Sequence, residues 1–367
     1  MNFNTIPIAE LDSRAQQVWH DILDESPELS SPFLTPEFAR VASQVIDNIE
    51  VLRVAEADDD SEQENAIGFL PFQRTSSRCG GPVAVGMNEF QAAIVRPNQD
   101  FSVTQWMRAA NLDTLKYDHW QTTQADLEPY HTRVGDSPYI DLSDGYDTYR
   151  SLKKKTTSSF SQLERKQRKL EREVGPTRLE MHSSDESLFQ LLLDWKSAQH
   201  NETGVVDIFQ FDWVLDLLRR YRDEETPGFR GLYSVLFAND QPIAVHLGLT
   251  TPRTAHLWFP SYDRTFQKYS PGMIMFLEIA KELSQLGVNR FEFGPGPQRY
   301  KQNLMSAAGS VAIGTVDCSP ARRLARRAWN QTREALRQSP LRSGLSAPSQ
   351  ILFRMKQWLN SRKEGLS

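Results

Sequence analysis

The sequence is poor in cysteine and contains no long apolar stretch. Only Cys79 and Cys318 occur among its 367 residues, and their spacing matches neither a metal site nor a disulfide framework. No apolar run approaches the roughly 20 residues that a membrane-spanning helix needs. The N-terminus has no basic segment followed by an apolar one, so no secretory signal is predicted. These absences favour a cytoplasmic protein without a metal site.

Charge is distributed unevenly along a chain of ordinary globular composition. The net charge is −5, yet residues 321–367 contain eleven Lys or Arg and only two acids. Within this tail, Arg322–Trp329 and Ile351–Leu359 are predicted to be helical, the second with one apolar side. Such a helix can lie on an anionic membrane surface or dock its apolar side on the protein, and the sequence leaves both open. Nucleic acid is a weaker third option, because no known binding motif is present.

The order of predicted elements indicates an α/β fold in which helices flank mixed, mostly antiparallel sheets. A chain of this length favours more than one domain. We expect an N-terminal domain over 1–148, a basic connecting helix over 149–175, a second domain over 176–320 and the basic tail over 321–367. The polar helix Tyr149–Glu173 either is solvated surface or contacts an anionic ligand.

The clearest strand predictions fall in two places. A hairpin with a polar tip joins Ile49–Ala55 to Ala66–Gln73. In the second half, an antiparallel meander is followed by a helix and a further strand. The predicted elements are Gly231–Ala238, Ile243–Thr250, Ala255–Tyr262, the helix Gly272–Leu286 and the strand Arg290–Phe293.

The turn between the meander and its following helix has the composition of a phosphate-binding turn. It reads Gln267-Lys-Tyr-Ser-Pro-Gly272, with Ser270 as the expected N-cap and proline at the first helical position. A helix N-terminus offers free backbone N–H groups and the positive end of the helix dipole. Gln267, Lys268, Ser270 and Gly272 are therefore candidate ligands for a phosphate or diphosphate, whereas a capped helix with no ligand is the plain alternative.

Several motifs together resemble the Fem-type GNAT acyltransferases, most closely their CelD-like branch. The specific part of the resemblance runs from Trp258 to Lys301, and a weaker likeness extends from Ser31 to Leu304. The motifs are Trp258…Pro260-Ser-Tyr-Asp263, Phe266-Gln-Lys-Tyr-Ser-Pro-Gly272, Phe291-Glu-Phe-Gly294 with Gly296, and Tyr300-Lys301. The resemblance implies tandem GNAT-like domains, with an acyl-coenzyme A donor bound by the second. It associates the chain with exopolysaccharide synthesis in bacteria.

The family fold implies a gap between two parted strands, here Ala255–Tyr262 and Arg290–Phe293, that holds the arm of the donor. Gly294 would permit close approach at its mouth. Asp263 or His246 would serve as general base and Tyr269 as the acid that protonates the leaving thiolate. The alternatives are a loop cap for Asp263 and a buried sheet histidine for His246. The side chains expected to contact substrate are Trp258, Tyr262, Glu292, Tyr300 and Lys301.

The resemblance leaves the donor and the reaction open in two respects. Related proteins often have Asp where Glu292 stands and a charged residue where Pro295 stands. The peptidoglycan-bridge branch uses aminoacyl-tRNA, but no coiled-coil insertion is evident in this chain, which favours acyl-coenzyme A. The expected acceptor is an amine or hydroxyl of a sugar or polysaccharide precursor. A non-catalytic, membrane-surface partner in polysaccharide assembly is the remaining alternative.

Overall fold

We describe the chain from a computed structural model, which covers residues 1–56, 66–204, 206–326 and 328. The basic tail beyond these positions, including the predicted helix Ile351–Leu359, lies outside the described residues. Within the described ranges, every helix is either too short or too polar to span a bilayer.

Strands and helices alternate along the chain, as a mixed α/β fold requires. The strands are β1 (Asn2–Pro7), β2 (Ile49–Ala55), β3 (Ala66–Ser76), β4 (Cys79–Gly81), β5 (Ile94–Val95), β6 (Thr114–Gln121), β7 (His131–Asp141), β8 (Thr177–Glu180), β9 (Glu225–Thr226), β10 (Phe229–Ala238), β11 (Gln241–Thr250), β12 (Thr254–Tyr262), β13 (Arg290–Glu292) and β14 (Ala307–Asp317). The α-helices are α1 (Ser13–Glu25), α2 (Pro36–Ser43), α3 (Val103–Ala109), α4 (Tyr146–Thr156), α5 (Ser158–Glu173), α6 (Glu186–Thr203), α7 (Asp212–Asp223), α8 (Pro271–Gln285) and α9 (Arg299–Leu304).

The described residues form two compact units. One contains Met1–Ser26, Ile46–Val134 and the described residues from Ala312 onward, and the other contains Pro27–Val45 and Gly135–Val311. The domain limits predicted above are those of two similar folds, whereas these two units are defined by compactness. The predicted limits therefore stay predictions.

The first unit is built on strands in the order β1-β2-β3-β4-β6, antiparallel except for the β4–β6 pair. The predicted hairpin of β2 and β3 is confirmed, with Leu52 opposite Leu70. Trp106 and Met107 of α3 pack on one face of this sheet. On α1, Trp19 stacks on Phe69 with 4.9 Å between ring centroids. Helices therefore cover both faces of the sheet.

The second unit is built on strands in the order β7-β13-β12-β11-β10-β8. The predicted meander is confirmed, because β10, β11 and β12 pair antiparallel in sequence order. The β12–β13 pair is parallel, and α8 forms its crossover. Helix α8 packs its Ile274 and Met275 against one face of the sheet. Aromatic pairs place α6 on the other face, where Phe189 lies 5.6 Å from the Tyr233 ring.

The single helix predicted over Tyr149–Glu173 is wrong, because the chain forms two helices that meet at Thr157. Thr157 is extended, with φ −148° and ψ 133°, and its Oγ1 accepts a hydrogen bond from the Ser159 N–H. Four consecutive hydroxyl residues, 156–159, occupy this corner. Their side chains compete with the helix for backbone hydrogen bonds and favour a cap, so the first helix stops here and a second begins.

Candidate functional site

Strands β12 and β13 are paired over only three residues and then part. The register joins Thr254 to Arg290 and ends with His256 opposite Glu292. Strand β12 continues to Tyr262, whereas β13 ends at Glu292. The outer edge of β12 beyond His256 therefore carries backbone groups that β13 does not pair. Such an edge can accept an extended ligand by strand-like hydrogen bonding.

A β-bulge explains why β12 turns away. Leu247 pairs with Phe259 and Gly248 with Leu257, so Trp258 is an extra residue with no partner on β11. A bulge bends its strand and increases the local twist. The bend falls at Trp258, two residues after His256, which is the last residue of β12 that pairs with β13. The bend therefore lies where the gap opens.

The N-terminus of α8 lies at the end of β12, after a short 3-10 helix. Pro271 occupies the first helical position as predicted, but Ser270 does not cap the helix with its side chain. Ser270 has a left-handed backbone, φ 60°. At Gly272 a Cβ would meet only the Tyr262 ring, at 3.6 Å. The helix N-terminus is therefore open at Gly272, beside the half-exposed Tyr262.

Lys166 of α5 contributes a positive charge to this turn. Its Nζ donates a hydrogen bond to Ser270 Oγ over 2.8 Å. A cation beside a helix N-terminus is unfavourable on its own, since both carry positive potential. A bound anion would be stabilised by both. The basic character of Tyr149–Glu173 was evident from the sequence, but the residue of that segment that reaches the turn was not.

The other residues of the phosphate-binding turn divide into exposed and anchored side chains. Gln267 and Lys268 are exposed, and Tyr269 is buried. The Tyr269 hydroxyl donates to Glu173 Oε2 over 2.7 Å, and Lys268 Nζ lies 3.7 Å from the same carboxylate. This Tyr269 hydrogen bond, followed by the charges of the neighbouring lysines, holds the pKa of Glu173 below its usual range. Glu173 therefore fixes the turn to α5.

Asp263 starts the 3-10 helix Arg264–Tyr269 and caps it. Its Oδ1 accepts hydrogen bonds from the Thr265 N–H over 2.9 Å and from Thr265 Oγ1 over 2.7 Å. Both bonds use the same oxygen, so Oδ2 remains available for another donor. The capping role considered for Asp263 is present, and among the described residues no hydrogen bond uses its Oδ2.

His246 lies in the middle of the sheet and is fully buried. Within the described residues, neither ring nitrogen has a hydrogen-bond partner, and the ring lies 6.4 Å from that of Phe291. Burial, followed by the positive charges of His256 and Lys196, lowers its pKa to about 3. The imidazole is thus neutral at pH 7 and enclosed, an arrangement unlike that of an accessible general base.

Substitution of His246 should make the protein less sensitive to acid. An unfolded histidine has a pKa of about 6.5, whereas folded His246 has a pKa of about 3. Between these values the unfolded chain binds a proton that the folded chain does not, so stability falls as pH falls, by about 1.4 kcal/mol per pH unit. We expect His246→Leu to remove this contribution in urea titrations between pH 7.5 and 4.5. Equal slopes for both proteins would contradict the assignment.

The point where β12 and β13 part contains a buried charged group. Glu292 is 2% exposed and forms an ion pair with Arg290, whose guanidinium stacks on the Tyr139 ring at 3.7 Å. His256 opposite is fully buried against Phe33, at 4.8 Å between ring centroids. Both side chains lie at the base of the gap rather than along it.

Three of the side chains predicted to contact substrate have contacts within the protein. Trp258 is 7% exposed and packs in an aromatic cluster, 5.4 Å from the Tyr221 ring. Tyr300 packs on Phe276, with 5.5 Å between centroids. Lys301 Nζ donates to the carbonyl oxygens of Gly294 and Pro295. Lys301 therefore closes the loop after β13, in which Gly294 has the left-handed φ of 69° that favours glycine.

The structure thus collects only part of the predicted site at one place. Ser270, Gly272 and Tyr262 lie together at the N-terminus of α8, with Asp263 and Lys268 on the same turn. His246, Trp258, Glu292, Tyr300 and Lys301 lie in the sheet or in the loop after β13. Across the described ranges, no group of three or more His, Cys, Asp or Glu side chains is placed to bind a metal ion.

Comparisons with known proteins show what the part of the chain that contains this turn is similar to. Residues 157–302 match the family described as acetyltransferase (GNAT) domain. No curated protein matches the sequence. A crystal structure of FemX aligns with a TM-score of 0.57 and 9% identity, over 89% of this chain and 99% of FemX. The C-terminal domain of a protein described as a lysylphosphatidylglycerol synthetase, from Agrobacterium fabrum, aligns with a TM-score of 0.52 and 13% identity, over 87% and 96% of the two chains.

At these identities the two structures show a shared fold alone, whereas the family match covers the strands and helix that form the gap and the phosphate-binding turn. The match of residues 157–302 to the acetyltransferase (GNAT) domain supports an acyltransferase.

Proposed function

We propose that the protein transfers an acetyl or other acyl group from acyl-coenzyme A to an amine or hydroxyl of a sugar or exopolysaccharide precursor. The observation that carries this proposal is the gap between β12 and β13, which opens beside the N-terminus of α8. One ligand with a diphosphate and a narrow, amide-containing arm would occupy both features.

The residues at the turn fit a diphosphate. The open space at Gly272 lets phosphate oxygens approach the N-terminal N–H groups of α8. Lys166, held by Ser270, supplies a charge on one side of the turn, and the exposed Lys268 supplies another. Amide groups of the ligand's arm would pair with the free edge of β12.

The chain's own groups suit attack on a thioester, which is the activated acyl group that the donor supplies. Backbone N–H groups along β12 would stabilise the negative charge on the carbonyl oxygen. Asp263 is the most accessible of the proposed proton-transfer groups, and its free Oδ2 would accept the proton of the attacking amine or hydroxyl. Tyr269 would return a proton to the thiolate only after its hydroxyl leaves Glu173.

The acceptor and the location of the reaction follow from the resemblance to CelD-like, Fem-type proteins. A sugar or polysaccharide precursor assembled on the cytoplasmic side of the membrane would be the acceptor. The basic tail, residues 321–367, would then hold the enzyme at the anionic inner membrane surface.

Titration with acetyl-coenzyme A by calorimetry tests the donor directly. We expect saturable binding, and a loss of affinity of about 10-fold or more in Lys166→Gln, because one charge-assisted hydrogen bond is worth about 1.5–3 kcal/mol. Lys268→Glu should also weaken binding strongly, through charge reversal on the turn. Unchanged affinity in both variants would show that this turn does not bind the donor. Acyl transfer from aminoacyl-tRNA alone, or vesicle binding with neither donor, would overturn the proposed function.

A further inference from the structure

A second cationic site lies where α4 and α5 meet, on the side of α5 away from the residues already assigned. The corner forms an open cleft of about 780 Å³. Its lining consists of cations, hydroxyls and one carboxylate. The lining residues are Lys154, Lys155, Thr156, Thr157, Ser158, Ser161, Glu164, Arg165 and Arg168. We name this the corner cleft.

The corner cleft contains more cationic side chains than acidic side chains that could pair with them. Glu164 is bound by Lys154 over 2.8 Å and by Arg150 over 2.7 Å. These hydrogen bonds outweigh its burial and hold the pKa of Glu164 below its usual range. Lys155, Arg165 and Arg168 form no ion pair with any described residue and are exposed. Three positive groups therefore face one cleft without a counter-charge, and they favour an anionic occupant.

The hydroxyls and the helix end suit phosphate in particular. Helix α5 begins at Ser158, so its positive dipole end points into the corner cleft. Ser161 and Arg165 are four residues apart and Arg168 three further, so they share one face of α5. Arginine forks, hydroxyl donors and a helix N-terminus are the groups that bind phosphate oxygens.

The corner cleft and the phosphate-binding turn both involve helix α5, on different sides of it. Arg165 precedes Lys166, which contacts Ser270, so the two sites share one helix. Arg168 lies two residues beyond Lys166, within one turn of about 5.4 Å rise. A phosphate in the corner cleft would therefore belong either to a ligand that extends from the turn around α5 or to a second substrate beside it.

We propose that the corner cleft binds a phosphate group of a small substrate of this acyltransferase. The inference rests on the proposed function, because it takes the ligand from that reaction. Two sources share the chemistry: the ribose 3′-phosphate of coenzyme A, and the diphosphate of a nucleotide-linked sugar acceptor.

Calorimetry on the full-length protein distinguishes these sources. The variants are Arg165→Ala/Arg168→Ala and the control Arg133→Ala/Lys281→Ala, which also removes two exposed cations but none from the corner cleft. The probes are coenzyme A, 3′-dephospho-coenzyme A and UDP-N-acetylglucosamine. If the cleft holds the ribose phosphate, the first variant loses affinity for coenzyme A at least 10-fold and keeps its affinity for the dephospho form. If it holds the diphosphate, the loss falls on the nucleotide sugar alone.

The remaining results overturn the proposal. Equal affinities of both variants for all three probes would do so. In a further outcome, the wild-type protein binds the nucleotide sugar through these arginines and does not bind coenzyme A. That result would refute the proposed donor, but it would support the corner cleft as a phosphate site. Far-ultraviolet circular dichroism of each variant checks that the fold is kept.

Discussion

Gly272→Glu is expected to raise the dissociation constant for coenzyme A by about 100-fold or more while the fold stays at least as stable. Gly272 is the second residue of α8, and its backbone does not need the left-handed conformation that favours glycine. A carboxylate there would face the diphosphate, and like charges in close contact cost several kcal/mol. The same carboxylate favours the helix by about 0.3–1 kcal/mol, since it opposes the dipole.

Two neutral variants at the same position separate charge from bulk. Gly272→Ala adds a Cβ that would only touch the Tyr262 ring at 3.6 Å, so we expect near-native binding. Gly272→Gln adds the bulk of glutamate without its charge, and its affinity should fall between the other two. Binding is measured by calorimetry and stability by urea unfolding. Equal affinities of the Gln and Glu variants for coenzyme A would show that steric bulk, and not charge, limits binding at the turn. A native affinity of Gly272→Glu would refute the proposed phosphate site.

Local sequence signals predicted the parts of the fold and site that depend on neighbouring residues. The meander could be predicted because turn residues separate strongly apolar runs, and the start of α8 because Pro271 and Gly272 follow a polar turn. The strand β14 was missed, although it is eleven residues long. Its glycines and serine weaken the apolar alternation on which strand prediction depends.

Long-range contacts account for most of what the sequence could not reveal. Lys166 and Ser270 are 104 positions apart, and nothing local distinguishes Lys166 from the other bases of α5. Alternation placed His246 opposite the Val245 and Leu247 face, but it could not show that the ring is completely buried. Likewise, the sequence could not show that Lys301 donates to the carbonyl oxygens of Gly294 and Pro295.

Gly248→Ala should destabilise the second unit by about 3 kcal/mol, near the upper end of the usual cost of overpacking. Gly248 lies at the bulge, where a Cβ would overlap the carbonyl oxygen of His256 and lie 2.5 Å from Cε1 of His246. The imidazole can rotate, but the carbonyl belongs to the last residue of β12 that pairs with β13. Relief therefore requires β12 to move, and the gap would change with it.

Gly248→Ala should change both the stability of the second unit and its affinity for coenzyme A, and the experiment measures both. Urea unfolding of Gly248→Ala is compared with that of Gly135→Ala, where a Cβ meets nothing within 4 Å. At a temperature where both proteins are folded, coenzyme A should bind Gly135→Ala normally and Gly248→Ala weakly. A folded Gly248→Ala protein with native affinity would mean that the bulge does not set the gap. The parting of the strands would then need another cause, such as the early end of β13 at Glu292.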